Sequence, residues 1–232
     1  NYSIKIPSLS NVIFAVLPYE KSKETAEQMK KTLKNTFSDI GKDVRNEFES
    51  FFPKDDKIDT LWEEQINDFL EVYYCIYPWP DKVEKIKQDY SIIFQKKHKT
   101  FTGKYPINIG NYWQEMYKIL ETAFNSRKNL RTFTQVREKT TFSKCSMCGE
   151  REILTKSNIN QPSELKQFWK QIGESSKSCY KIDRDGRDRL CAVCFTKRMA
   201  GEYYFKKQVF PKGEQTSFPS TSTIATLPLK IK

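Results

Sequence analysis

Glycine and histidine are both scarce in this sequence, and each shortage argues against a class of site. The 232 residues include only 8 glycines. Neither GxGxxG nor GxxxxGK[ST] occurs, which argues against a glycine-rich phosphate-binding loop. The single histidine, His98, lies among lysines, where a solvated surface position is expected. One histidine cannot supply a Ser-His-Asp triad, a His-Asp metal nuclease or a histidine-rich metal site.

Long apolar runs are also missing. No stretch of 18 apolar residues occurs, so no segment is predicted to span a bilayer. The first residues, NYSIKIPSLSNVIF, carry no initiator methionine and no signal-peptide profile, and this start is interpreted as a cut inside a longer chain. A secreted disulfide scaffold of this size would usually carry more than six cysteines. The chain is therefore expected to be cytoplasmic with reduced thiols.

Positive charge and aromatic rings are plentiful. The chain carries 40 Lys and Arg against 29 Asp and Glu, a formal net charge of +11. This excess suggests an anionic partner, single-stranded nucleic acid first, although lysines that only keep the surface soluble remain an alternative. Aromatic residues make up 14% of the chain, and most of them are expected to be buried in a core of large rings.

Hydrophobic patterning predicts a mixture of strands and helices. The apolar run 11–18 and the aromatic, β-branched run 69–80 are interpreted as buried strands. Apolar residues that recur every three or four positions predict helices. Five such helices are predicted, at residues 22–52, 60–69, 81–101, 110–133 and 195–210. The tail that follows is rich in Pro, Ser and Thr and is predicted to be a loop.

Two CxxC pairs are the strongest chemical signal in the chain. The first pair is Cys145 and Cys148, and the second pair is Cys191 and Cys194. The two pairs are separated by 42 residues. Four thiolates about 2.3 Å from one ion form a tetrahedral zinc site. Gly149 suits the left-handed turn of such a knuckle, and the dipole of a helix after Cys191 favours thiolates. Because four cysteines leave no open coordination position, the Zn²⁺ is predicted to be structural.

Other readings of the cysteines stay open at this point. A cytosolic CxxC is also typical of a redox dithiol, and the pairs could be incidental. Cys179 is either a spare ligand or a packed thiol, and Cys75, within an apolar run, is expected in the core.

Two charged stretches are weaker candidates. The acidic pair at 55–56 is the only one that suggests two-metal chemistry, but a solvated turn explains it better. The stretch 180–190, YKIDRDGRDRL, has arginines that could meet phosphate. Its Asp-Gly also fits a solvated hairpin.

Several segments, in this order, resemble one family. Together they are similar to the large subunit of type III-B (Cmr-type) CRISPR effector complexes, of the CRISPR polymerase family. The likeness covers nearly the whole chain and is carried by IPSLSNVIFAVLP, LWEEQINDFLEVYYCIYPWP, GNYWQEMYKILETAFNSRKNLRTF, KCSMCGE, DRLCAVCFTKR and FPSTSTIAT.

The resemblance implies an α+β fold, a ferredoxin-like palm related to nucleotide cyclases and polymerases, with helical insertions and a zinc-ribbon insertion. The implied domains are a first palm at 1–140, the zinc ribbon at 141–198, and a return helix with a Ser/Thr/Pro-rich segment at 199–232. In the family, two palms convert ATP into cyclic oligoadenylates with Mg²⁺ or Mn²⁺, and a His-Asp domain cuts single-stranded DNA. This chain contains neither GGDD nor a His-Asp dipeptide, so it is expected to be inactive alone.

The resemblance also implies roles for particular residues. Cys145, Cys148, Cys191 and Cys194 match the family's zinc knuckles. Phe218, Ser220 and Thr221 match a segment near the nucleotide pocket between the palms, although an ordinary loop explains them as well. The expected function is a non-catalytic half of the ATP pocket and a scaffold within the RNA-guided antiviral complex. Its expected partners are the other Cmr-type subunits, CRISPR RNA and target RNA. The alternative is a free-standing zinc-ribbon protein that binds nucleic acid.

Overall fold

The computed structural model describes residues 12–94, 109–130, 144–178 and 181–209. Six α-helices lie in these ranges: α1 Tyr19–Glu47, α2 Asp56–Asn67, α3 Val83–Phe94, α4 Trp113–Asn129, α5 Pro162–Glu174 and α6 Ala192–Ala200. Short 3₁₀-helices cover Ile109–Tyr112 and Ser176–Ser178, and a π-helix covers Gly201–Val209. None of the described helices is both long and apolar enough to cross a bilayer.

The predicted α+β palm is wrong, because the described residues form helices and no sheet. The one backbone pairing of β type among them is an isolated antiparallel bridge between Lys144 and Glu152. Residues 12–18 have no regular secondary structure, and five apolar side chains there are exposed: Val12, Ile13, Phe14, Val16 and Leu17. A zinc-ribbon sheet is likewise absent from the described residues around the cysteines.

The run 69–80 shows why a strand-like sequence did not make a strand. Arg127 lies 5.4 Å from the Tyr73 ring, and Trp79 lies 5.5 Å from Trp113. These two contacts sit at opposite ends of α4, about 21 Å apart along the helix. Six residues cover that distance when the chain is extended. Tyr73 and Trp79 therefore pack against a helix rather than against a neighbouring strand.

The chain divides into two compact units. One contains residues 1–14, 33–70 and 136–232, and the other contains residues 15–32 and 71–135. The second unit has a small core in which α3 packs on α4, formed by Ile86, Tyr112, Met116 and Ile119. In this unit Tyr77 donates a hydrogen bond of 2.8 Å to Asp89 of α3, and Tyr74 donates to Glu27 of α1.

The first unit has a larger core built on aromatic rings around α6. Seven of the nine residues of α6 are buried, as expected for a helix that is apolar on nearly every side. Phe195 lies at its centre, with four aromatic rings 4.9 to 6.3 Å away: Phe48, Phe52, Trp62 and Trp169. Phe48 and Phe52 come from the segment after α1, Trp62 from α2 and Trp169 from α5. This packing holds α6 in place, and with it Cys191, which directly precedes the helix.

Helix α2 begins at a side-chain cap that the sequence left ambiguous. Asp55 accepts hydrogen bonds from the backbone N–H groups of Lys57 and Ile58, as an N-cap does. It also accepts from the backbone and hydroxyl of Ser157. The acidic pair at 55–56 therefore begins a helix and ties it to the segment before α5.

Candidate metal centre

The four cysteines of the two CxxC pairs come together in the first unit. The sulfur atoms of Cys145, Cys148, Cys191 and Cys194 all lie within 4.8 Å of one another. The Sγ atoms of Cys148 and Cys191 are 3.9 Å apart, close to the edge of about 3.8 Å in a tetrahedron with metal–sulfur distances of about 2.3 Å. Three of the cysteines are buried and Cys148 is half-buried. The cluster could hold a metal ion such as zinc.

The first knuckle is a tight turn closed by backbone hydrogen bonds. The N–H of Gly149 donates to the carbonyl of Cys145 at 2.9 Å, and the N–H of Cys145 donates to the carbonyl of Arg151 at 2.8 Å. Gly149 has a φ of 66°, and nothing lies within 4 Å of a Cβ placed there. Glycine is needed at this position for its backbone conformation, not for lack of space.

The second knuckle is the start of α6. Cys191 is the N-cap residue, and its Sγ accepts a hydrogen bond of 3.4 Å from the backbone N–H of Cys194. A sulfur atom thus takes the place of the oxygen that usually caps a helix. The partial positive charge of the helix N-terminus favours negative charge on this sulfur, which suits a metal-binding thiolate.

Hydrogen bonds hold the two knuckles against each other. The N–H of Ser146 donates to the carbonyl of Arg189 at 2.9 Å, and the N–H of Arg189 donates to the Ser146 hydroxyl at 3.0 Å. The N–H of Leu154 donates to the carbonyl of Leu190 at 2.9 Å. These bonds account for the convergence of two cysteine pairs that are 42 residues apart in sequence.

The intervening chain reaches the second knuckle through a loop packed on α5. Gly186 has a φ of +71°, and a Cβ there would lie 2.3 Å from the carbonyl oxygen of Lys166. In this loop the carboxylate of Asp183 accepts from the N–H groups of Asp185 and Arg187. Residues 181–190 therefore form a loop braced by carboxylates, in which Arg187 pairs with Asp185.

Three cationic side chains come from residues near the two knuckles in sequence: Arg151, Lys197 and Arg198. Lys197 lies 4.1 Å and Arg151 lies 5.5 Å from the centroid of the Phe69 ring. Arg198 of α6 pairs with Asp188 and lies 3.5 Å from the sulfur of Met147, inside the first knuckle. Arg151 likewise pairs with Glu150, so each of the two arginines already balances a neighbouring carboxylate.

The thiols also perturb one another. A hydrogen bond from Cys191 lowers the pKa of Cys145 to about 4. The same hydrogen bond and burial raise the pKa of Cys191, and burial raises the pKa of Cys194 to about 11. These shifts favour a single thiolate in the cluster, and further thiolates need a cation that balances their negative charge. Metal binding is therefore expected to release protons.

Sequence reasoning missed one residue that supports the cluster. Gln65 of α2 donates a hydrogen bond of 2.8 Å to the carbonyl of Glu152, and its carbonyl oxygen accepts one of 2.8 Å from the N–H of Ala192. One amide side chain thus joins the chain beyond the first knuckle to the start of α6. The available signal was a polar residue on the apolar face of α2, between Trp62 and Ile66.

The remaining predicted residues are not part of the cluster. Cys75 lies in the second unit, where burial raises the pKa of its thiol. Cys179, His98, Phe218, Ser220 and Thr221 lie outside the described residues, so their predicted roles stay predictions.

Replacing Gln65 with alanine is expected to weaken zinc binding about 10- to 100-fold, the usual effect of losing a partner that supports metal ligands. Competition with a chromogenic chelator would measure the affinity. Glu63→Ala is the matched control, since Glu63 lies on the exposed face of the same helix. An unchanged affinity in Gln65→Ala would mean that the two knuckles hold their positions without this bridge.

Comparisons of the chain with protein-family models, with curated proteins and with solved structures gave no match.

Proposed function

We propose that this chain is a zinc-stabilised, non-catalytic scaffold segment of the large subunit of a type III-B CRISPR effector complex. The observation that supports it is the convergence of Cys145, Cys148, Cys191 and Cys194 on one site. These cysteines belong to the same two motifs that carry the resemblance to that family. The proposal retains the two cysteine motifs of the family but not its palm domain, because the described residues form helices and no sheet.

The metal in this proposal is structural zinc. A set of four thiolates fills a tetrahedral zinc ion and leaves no position for a substrate or water. The cluster joins α6, at the centre of the aromatic core, to the first knuckle. Its proposed role is to hold α6 in place and so to present the surface of this unit to neighbouring subunits.

Nucleotide chemistry belongs to the complete protein in this proposal. The segment with Phe218, Ser220 and Thr221 contributes to an ATP pocket only with the catalytic half of the large subunit. This chain, incubated with ATP and Mg²⁺, is expected to yield no oligoadenylate, because it lacks the acidic GGDD pair that would bind the metal ions. Mass spectrometry of the products would test this, and a cyclic product from uncontaminated protein would contradict it.

Co-expression with the other subunits of a Cmr-type complex tests the scaffold role. The chain is expected to co-elute with them on size exclusion, and Cys148→Ser is expected to reduce the co-eluting fraction. Cys75→Ser, a thiol outside the cluster, is the control. A chain that stays separate from these subunits, yet binds RNA tightly with sequence preference, would instead be a free-standing zinc protein that recognises nucleic acid.

A further inference from the structure

Two tryptophans of the second unit touch each other at the surface. The rings of Trp79 and Trp113 have centroids 5.5 Å apart and planes tilted by 41°. Trp79 is 48% exposed and Trp113 is 42% exposed. Tyr117, one turn further along α4, is 42% exposed as well. Tryptophan is a highly buried residue on average, so an exposed, touching pair is unusual and marks an interaction surface.

The two rings are held by rigid supports. Trp79 lies between Pro78 and Pro80, which restrict the backbone on both sides, and Pro80 is buried. Trp113 is the first residue of α4 and follows Tyr112, which belongs to the core of the unit. The pair is therefore pre-organised, and a ligand that binds it loses little conformational entropy of the protein.

The charge of this unit selects the class of ligand. Its sequence contains 15 Lys and Arg against 9 Asp and Glu, and such an excess attracts polyanions. Five of these cations lie outside the described residues: Lys96, Lys97, Lys99, Lys104 and Arg131. Cations also lie beside its aromatic rings: Lys87 is 5.8 Å from the Tyr112 ring, which is next to Trp113 in sequence. At the opposite end of α4, Arg127 is 5.4 Å from the Tyr73 ring. Aromatic rings combined with positive charge are the features by which proteins bind single strands without sequence preference.

We infer that Trp79 and Trp113 form a stacking platform for an unpaired base of single-stranded nucleic acid, with Tyr117 beside it. The base packs on the exposed face of the ring pair, and cations of the unit attract the phosphates. This inference does not depend on the proposed place in an effector complex. These three rings are exceptions to the expectation that most aromatic residues lie in the core.

Tryptophan fluorescence gives a direct readout, because the chain contains four tryptophans and the other two, Trp62 and Trp169, are buried. Titration with a 12-nucleotide oligoadenylate RNA is expected to quench the exposed pair. In anisotropy measurements with the same labelled RNA, Trp113→Ala and Trp79→Ala are expected to weaken binding on the order of 10- to 100-fold. Trp113→Phe is expected to restore most of the affinity, because it keeps a ring.

Salt dependence separates stacking from simple charge attraction. Phosphate contacts set the slope of log affinity against log salt, so the tryptophan variants are expected to lower affinity at every salt concentration without changing that slope. Tyr19→Ala removes another exposed ring of this unit and is expected to change neither value. Circular dichroism would confirm that each variant is folded.

Three outcomes would overturn the inference. The first is RNA binding that is unchanged in both alanine variants. The second is RNA binding that leaves tryptophan fluorescence unaltered. The third is loss of binding to a protein subunit in the two variants with unchanged RNA affinity, which would make the pair a protein-docking surface.

Discussion

Cys148→Ser is expected to abolish tight zinc binding and to loosen the packing around the cysteine cluster. Serine keeps the shape of the side chain but replaces a strong thiolate ligand with a weak one. Structural zinc contributes on the order of 10 kcal/mol to small zinc domains, which is comparable to the whole stability of a typical protein, about 5–15 kcal/mol. Cys148 is the half-buried member of the cluster, so the change reports loss of a ligand more than loss of packing.

Hydrogen exchange read by mass spectrometry would locate this effect. Amides of α6 are expected to lose protection by orders of magnitude, while amides of α4 stay protected, because α4 packs in the separate core with Ile86 and Met116. Cys75→Ser is the control and should keep the metal. Full zinc occupancy in Cys148→Ser, with α6 still protected, would show that this cysteine is not a ligand.

Phe195→Ala is expected to be the most destabilising change in the aromatic core. Truncation of a buried phenylalanine costs about 3–5 kcal/mol, and this ring also makes edge-to-face contacts with Phe48 and Phe52. Such aromatic pairs add about 0.5–1.5 kcal/mol each. Because Phe195 follows Cys194 directly, the cavity would also free the start of α6 and weaken metal binding.

Denaturant unfolding with saturating zinc would measure this loss separately from the loss of metal. The midpoint is expected to fall strongly in Phe195→Ala and to stay unchanged in Leu130→Ala, which truncates a side chain that is 77% exposed. A small shift in Phe195→Ala, below about 1 kcal/mol, would contradict the central position of this ring.

Local chemistry explains what the sequence could predict. All five predicted helices correspond to helices of the structure, namely α1, α2, α3, α4 and, for 195–210, α6 with the π-helix that follows it. They were predictable because a repeat of apolar residues every three or four positions is itself the cause of an amphipathic helix. The convergence of the two cysteine pairs was also predictable. A tetrahedral ion needs four sulfur ligands, and the chain offers two matched pairs.

The predicted strands failed because a strand depends on a partner elsewhere in the chain. The run 69–80 has the β-branched and aromatic composition of a central strand, but its rings pack against helices. Nothing within that run shows which neighbours it will meet, since β-propensity mainly reports packing on a half-buried surface. The family resemblance then extended this local error to the prediction of a whole palm domain.

Helix α5 was missed although its signals are present. Gln161 and Glu164 form a capping box, and Pro162 takes the first helical position. Leu165, Phe168, Trp169 and Ile172 form the buried stripe that follows. The polar stretches on either side led to an expectation of a loop or a small lobe without a core. In the structure, these side chains belong to the main core of the first unit.

Metal analysis of the purified chain, combined with X-ray absorption at the zinc edge, is the decisive test of a structural zinc site. We expect one zinc per chain with four sulfur neighbours at about 2.3 Å. We also expect the thiols of Cys145, Cys148, Cys191 and Cys194 to resist alkylation until a chelator removes the metal. Protein that contains no zinc, with these four thiols reacting readily before any chelator is added, would rule out such a site.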